Sequence, residues 1–209
     1  MKRDTNKRKQ EIIDAAITLF LKQGVQETSL REIAVSLGIS KSTILYYFHS
    51  KDEIIDQVAN NGAQRVNTIR EYYRSLGNIK PSDGLRKCII RFLVGSHWRN
   101  VLFFNREFKS LPPARSEGLS TSVREYINFF EHLLDEGIRI GEFKMDDPFL
   151  VAFNIWTTEQ EWALRHWLLK ESFNNEEFAE KQADFILSAI LVNKPTKVDG
   201  SGLIAQRKN

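Results

Sequence analysis

Cysteine is almost absent from this chain. Cys88 is the only one in 209 residues, so no internal disulfide can form, and a reducing compartment is the natural expectation. Flanked by Lys87, Ile89 and Ile90, Cys88 reads as a small buried residue and not as a redox switch. Proline is scarce, at five residues, and none precedes Pro81. No apolar run approaches the roughly 20 residues a membrane helix requires. Charges interrupt even the stretch from Ile12 to Leu21, so neither a secretory leader nor a membrane anchor is expected, and the expected location is the cytoplasm. No phosphate-cradling glycine loop, nucleophile elbow or catalytic triad can be assembled. His97, His132 and His166 stand alone, without cysteine or carboxylate at metal-ligand spacing. The reading is therefore no enzyme, no metal and no cofactor.

Net charge is small as well, +3 from 30 Lys and Arg against 27 Asp and Glu. The chain as a whole is no polyanion binder. The local balance differs: the first ten residues hold Lys2, Arg3, Lys7, Arg8 and Lys9 against Asp4 alone. Such an arm is attracted to phosphate or to an anionic membrane surface, unless it is merely a frayed, solvated end.

What is present is helical periodicity. Ile12, Ala16, Leu19 and Phe20 fall on one face of a helix, as do Leu30, Ile33, Ala34 and Leu37. Strand alternation is missing, so the chain reads as all-α with about nine helices. The first 55 residues carry dense punctuation. A helix runs from Asp4 to Lys22, and Gly24 supplies a left-handed stop. Ser29 and Glu32 form a capping box that opens a short second helix ending at Gly38. Ser40 caps a third helix, with Ile39 and Ile44 as a hydrophobic staple. Ser50 and Glu53 make a second capping box and open a long fourth helix. Beyond Asn60 the helices lengthen, with breaks at 77–84, 111–113 and 141–148. Asp147-Pro148 starts one long helix with Phe149, Phe153, Trp156, Gln160, Ala163 and Trp167 along one face. Asn174 and Asn175 cap the last, and the segment 194–209, polar and basic, reads as a disordered tail.

Two short helices joined by a glycine turn, the second opening on small polar residues, describe a helix-turn-helix. Its first helix must brace against a core; its second must enter the major groove with N-terminal side chains at base edges. Ser40, Lys41, Ser42 and Thr43 are short or flexible donors suited to that entry. Phe48 and Ile44 look like core pins.

The run Ile12-Ile13-Asp14-Ala15-Ala16, Leu19-Phe20, Gly24, Thr28-Ser29, Ile33-Ala34, Gly38 to Thr43 and Tyr46 to Lys51 resembles the TetR-family signature in order and spacing. The likeness covers about residues 8–55. It implies a homodimeric, ligand-responsive regulator of transcription that grips double-stranded operator DNA. It places Thr28, Ser29 and Arg31 near the duplex and Lys41, Ser42 and Thr43 at the base-reading turn. Tyr46 and Tyr47 are implied as contacts to phosphate or thymine methyls, and Lys51 as a phosphate clamp at a helix N-terminus. Leu45 stands where members often carry Tyr, which leaves a methyl contact but no phosphate bond. His49 is either a surface residue beside a cap or a phosphate contact.

The expected domains are 7–68 for DNA binding, with the motif at about 29–50 and the start of a linking helix at 51–68, and 69–193 for ligand binding and dimerisation. One helix-turn-helix touches too little DNA for high affinity, so a two-fold dimer with recognition helices about 34–36 Å apart is the usual solution. The resemblance implies a four-helix interface from the last two long helices, through Phe149, Phe153, Trp156, Ala163, Ala183, Ile186, Leu187 and Ile190; the same faces could instead close the monomer's core. Phe92, Trp98, Phe103, Phe104, Phe108, Tyr126, Phe129 and Phe130 could line an apolar effector cavity or could be plain core. The stretch Gly137 to Phe143 with Asp147-Pro148 and Trp162 to Trp167 is similar to a subgroup that includes sensors of fatty-acyl and other lipid-like CoA thioesters; an aromatic inducer is the other candidate. Repression is the default reading, with activation open. A protein-interaction module or an all-α enzyme, neither with an operator, are the rival readings.

Overall fold

The computed structural model describes residues 2–95, 98–107, 109 and 111–192. These form ten helices: α1 (Lys2–Gln23), α2 (Leu30–Ser36), α3 (Lys41–Tyr47), α4 (Lys51–Ser75), α5 (Pro81–Val94), α6 (Trp98–Glu107), α7 (Pro113–Arg139), α8 (Pro148–Leu164), α9 (His166–Leu169) and α10 (Asn175–Ile190). Among the described residues extended pairing is limited to one isolated bridge, Phe143 to Leu191. Phe108 and the segment 194–209 lie outside the described residues.

Local signals account for the first three helices. Gly24 (φ 92°) and Gly38 (φ 64°) both sit in the left-handed region, where a Cβ is costly, and so end α1 and turn α2 into α3. Ser29 accepts from the Glu32 amide while the Glu32 carboxylate takes the Ser29 amide, a full capping box. Ser40 caps α3 through the Thr43 amide. At α4 the second box forms only by half. Ser50 accepts from the Glu53 amide, but the Glu53 carboxylate reaches one residue further back, to the His49 amide at 2.7 Å.

Two apolar cores result. The first joins Ile12, Ala16, Phe20, Ile33, Ala34, Ile44, Phe48, Ile54 and Val58, from α1 to the first half of α4. The second is built from α5, α7, α8 and α10, with Val66 and Ile69 from the second half of α4. Helix α4 thus has one end in each core. Helix α6 is a second link: Phe103, on α6, is buried in the first core and stacks on Phe20 with ring centroids 5.5 Å apart.

The tenth helix departs from the expected count of about nine. The long helix read through Trp167 stops at Leu164, where Arg165 (φ −115°, ψ 22°) leaves helical geometry and α9 starts afresh. Trp167 therefore does not continue the face of Phe149 and Phe153.

Candidate functional site

Helix α3 rests on buried Ile44, with Phe48 buried just past its end. That seating turns the opposite face to solvent. Lys41 and Ser42 are exposed at its start, Tyr46 is 78% exposed further along, and Leu45 is exposed beside it. Tyr47 is half-buried and meets the Tyr46 ring edge-on at 4.9 Å. Arg31, on α2, is exposed too. Ser40 is committed to the cap, and its hydroxyl also lies within 2.7 and 2.8 Å of the Ser42 and Thr43 hydroxyls. A hydroxyl cluster, a lysine and an aromatic pair therefore lie on α3, with an exposed arginine on the helix before it, a set able to bond phosphates and base edges.

Several expected DNA contacts have other duties. Thr28 is 1% exposed and donates to the Gly24 carbonyl at 2.8 Å, so its side chain holds the α1–α2 loop and meets no solvent. Ser29 is spent on its capping box. The Lys51 ammonium donates to the carbonyls of Val25, Gln26 and Thr28 at 2.5, 3.4 and 2.9 Å. Three N–H groups meeting three carbonyls leave no donor for a phosphate, so Lys51 ties α4 to the loop before α2. Its position opposite loop carbonyls depends on how α4 crosses that loop, which spacing along the chain does not encode. His49 is exposed and pairs with Glu53 at 3.0 Å. Hydrogen bonds from the His49 amide and ring hold the Glu53 carboxyl below its usual range, and the Ser29 amide and hydroxyl do the same for Glu32.

The expected aromatic cavity is dispersed. Phe103 sits in the first core, and Phe104 packs against it, because α6 lies across α1. Trp98 stacks on His166, centroids 5.5 Å apart. Phe130 is fully buried core. Phe92 and Tyr126 instead line a groove of about 620 Å³ between α4 and α5, with Arg65, Ile69, Tyr72 and Ile90 among its other walls. Phe129 borders a smaller one of about 400 Å³ between α4 and α7.

Beside the larger groove lies a largely buried charge pair that sequence reading missed. Arg65 (α4) meets Glu159 (α8) at 2.7 Å, the side chains 23% and 4% exposed. At that distance the Glu159 carboxylate is in direct charge contact with the guanidinium. Burial works against the Arg65 charge; the Glu159 carboxylate outweighs it and holds the guanidinium ionised. The guanidinium lies over the rings of Phe92 (5.5 Å) and Tyr126 (5.8 Å). A polar residue in the middle of each helix, 94 positions apart, gave no local signal. Cys88 is buried nearby in the second core, its thiol pushed up to about 12 by burial.

The faces expected to dimerise divide in two. Ala163, Ala183, Ile186, Leu187 and Ile190 are buried within the protomer, most of them packed against α5, and so cannot give area to a partner. Phe149 and Phe153 are exposed and stack at 6.2 Å, and Trp156 follows at 5.6 Å from Phe153. Leu164, Trp167 (65% exposed), Leu168 and Phe185 (70% exposed) are exposed as well. Period alone cannot tell which apolar stripe of a two-sided helix faces inward. No helix among the described residues is long and apolar enough to cross a membrane.

Residues 12–58 match the model of bacterial regulatory proteins of the tetR family, and residues 78–190 match that of the tetracyclin repressor-like C-terminal domain. The chain belongs to the TetR family. It is thus a transcriptional regulator with an N-terminal DNA-binding helix-turn-helix. Among TetR-family relatives, the HTH-type transcriptional regulator RutR of Escherichia coli K12 is 26% identical over 165 residues, covering 77% of this chain and 76% of RutR. The fold is shared with Bacillus subtilis FadR, solved with stearoyl-CoA (TM-score 0.64, 21% identity, 86% of this chain and 97% of FadR). It is shared also with AibR, solved with isovaleryl coenzyme A and operator DNA (TM-score 0.63, 19% identity, 87% of this chain and 97% of AibR).

Proposed function

We propose that this TetR-family regulator is a homodimeric repressor that inserts paired α3 helices into a palindromic operator and lets go when a small, largely hydrophobic effector binds. The observation that carries this reading is the seating of α3. Ile44 and Phe48 anchor it, and Lys41, Ser42, Leu45 and Tyr46 are exposed, as is Arg31 on α2. Residues 7–68 are the operator-binding unit and 69–193 the effector and dimer unit. Phe149, Phe153 and Phe185 supply the dimer contact. Its place of action is the cytoplasm, where operator DNA lies, and no catalytic step is assigned to it. FadR and AibR, solved with acyl-CoA ligands, support an effector with an acyl body.

Physically, an effector can shift the dimer off DNA only by as much as its affinity differs between the DNA-competent and the wider-spaced state. Helix α4 is the element able to transmit such a change, since it ends in both cores. The test is a gel-shift with duplex DNA flanking the protein's own gene, at low salt. The wild type should shift it. Lys41→Ala/Tyr46→Ala should bind at least tenfold more weakly, since each lost phosphate or base contact costs about 1–3 kcal/mol, while sedimenting like the wild type. Unchanged DNA affinity in the double variant would defeat the assignment.

A further inference from the structure

Two consecutive residues of α8 reach the two helices that run into the DNA-binding unit. Glu159 shares the buried stripe of α8 with Ala152, Ile155 and Trp162, and meets Arg65 of α4 at 2.7 Å. Arg65 stands just before Val66, where α4 enters the second core after leaving the first at Val58. Its guanidinium also donates to the Phe92 carbonyl at 3.3 Å. Gln160, the next residue, accepts through its side-chain carbonyl from Asn105 of α6 at 2.8 Å. Beside Asn105, Arg106 donates to the Leu21 carbonyl of α1 at 2.8 Å. Gln160 also continues the helical stripe of Phe149, Phe153 and Trp156, the stripe given above to the partner. One helix thus carries the dimer face and, at neighbouring positions, holds both links to the DNA-binding unit.

These ties differ in kind from the packing around them. Apolar attraction is non-directional, so it fixes the distance between two helices better than their register. A buried charge pair has one register. Parting its members leaves an uncompensated buried ion and is strongly destabilising, whereas apolar residues of similar volume in place of both are often neutral or stabilising. The pair therefore contributes little net stability and defines where α4 crosses α8. We propose that Glu159 and Gln160 are positioning residues: they fix the separation of the two recognition helices in the dimer, and with it the half-site spacing that an operator must have. Neither residue touches DNA; each acts through the helix it holds, Glu159 through α4 and Gln160 through α6 and α1. This rests on the dimeric, operator-binding reading above and adds to it the residues that set the spacing.

Double electron–electron resonance on the full-length dimer tests this without DNA. Val35→Cys offers an exposed position (71%) on α2 for a nitroxide, and Cys88, 0% exposed, is closed to the label. The labelled but otherwise wild-type dimer should give one narrow distance between its two nitroxides. Arg65→Met/Glu159→Met/Gln160→Ala should broaden that distance or move it by about 3.4 Å or more, the rise of one base pair. The variant should still sediment as a dimer, and Arg65→Met/Glu159→Met should keep or raise the unfolding temperature. Purely structural ties would lower that temperature and leave the distance as it was. On duplex DNA flanking the protein's own gene, one base pair inserted between the half-sites should weaken the wild type about tenfold or more, and the triple variant less than about threefold. An unchanged distance, or an unchanged penalty for the insertion, in a folded dimeric variant would overturn the proposal. If the triple variant fails to fold, Gln160→Ala alone decides, and an unaltered distance there overturns it equally. A monomeric wild type would end the dimer reading and this proposal with it. If a dimer forms but shifts no DNA, the operator reading fails, and the distances still decide the positioning role.

Discussion

Side chains that look alike in a motif can do opposite work, and Lys51 is the clearest instance. An exposed lysine at a helix start would be a mobile point charge drawn to phosphate. Here its ammonium is held by three loop carbonyls, so it acts on DNA binding only by fixing where α2 and α3 stand. Lys51→Met should therefore lower stability by about 1–3 kcal/mol, because bonds to a charged donor are lost and part-buried carbonyls are left open. For a chain this long that is roughly 2–4 °C of Tm per kcal/mol. The slope of operator affinity against salt should stay as in the wild type, whereas losing a true phosphate contact lowers that slope by about one. Calorimetry and a salt titration on the same variant separate the two roles. A normal Tm with a reduced slope would restore Lys51 to the interface.

Elements were legible where their causes are local. Capping residues, left-handed glycines and the 3.6-residue period act within one turn, so α1 to α4 and the opening of α10 could be read from the chain. What was not legible depends on long-range packing. The break at Arg165 arises where α9 turns away with His166 set between Trp98 and Trp162, and no glycine or proline marks it. The destination of Phe103 was equally hidden. In sequence it belongs to an aromatic stretch of the effector unit, yet it fills the DNA-binding core, because α6 lies across α1. Arg106 donates to the Leu21 carbonyl at 2.8 Å and Asn105 to Gln160 at 2.8 Å, so the same helix holds α1 on one side and α8 on the other. Phe103→Ala should cost about 3–5 kcal/mol, the usual loss for emptying a buried phenylalanine site. Urea unfolding followed in both units should show the loss concentrated in residues 12–58, read by hydrogen exchange of α1 and α4 amides. An equal loss in α7 and α10, with α1 unaffected, would mean that Phe103 belongs to the effector unit after all.

At the scale of the molecule, the exposed rings of α8 to α10 need an explanation that the protomer does not supply. Phe149, Phe153, Trp167 and Phe185 are exposed, whereas the other described phenylalanines and tryptophans are buried or half-buried, and exposed apolar area of that kind marks interaction surfaces. A two-fold partner is the cover that also serves the DNA-binding unit, because a palindromic operator needs two recognition helices related by the same symmetry. The buried half of the expected interface, Ala183, Ile186, Leu187 and Ile190, then supports dimerisation indirectly, by setting how far α10 stands from α5 and so where Phe185 points. Phe185→Asp, and separately Phe149→Asp/Phe153→Asp, place charges on exposed positions and should leave the helical content intact. Sedimentation equilibrium should show a shift from dimer to monomer. Operator affinity should fall by about 10²–10⁴-fold, the scale of the advantage gained by linking two weak contacts, while the remaining binding to a single half-site survives with an unchanged base preference. A variant that stays dimeric with full operator affinity would remove that face from the interface and leave its exposed aromatics to be covered by something other than a second copy of the chain.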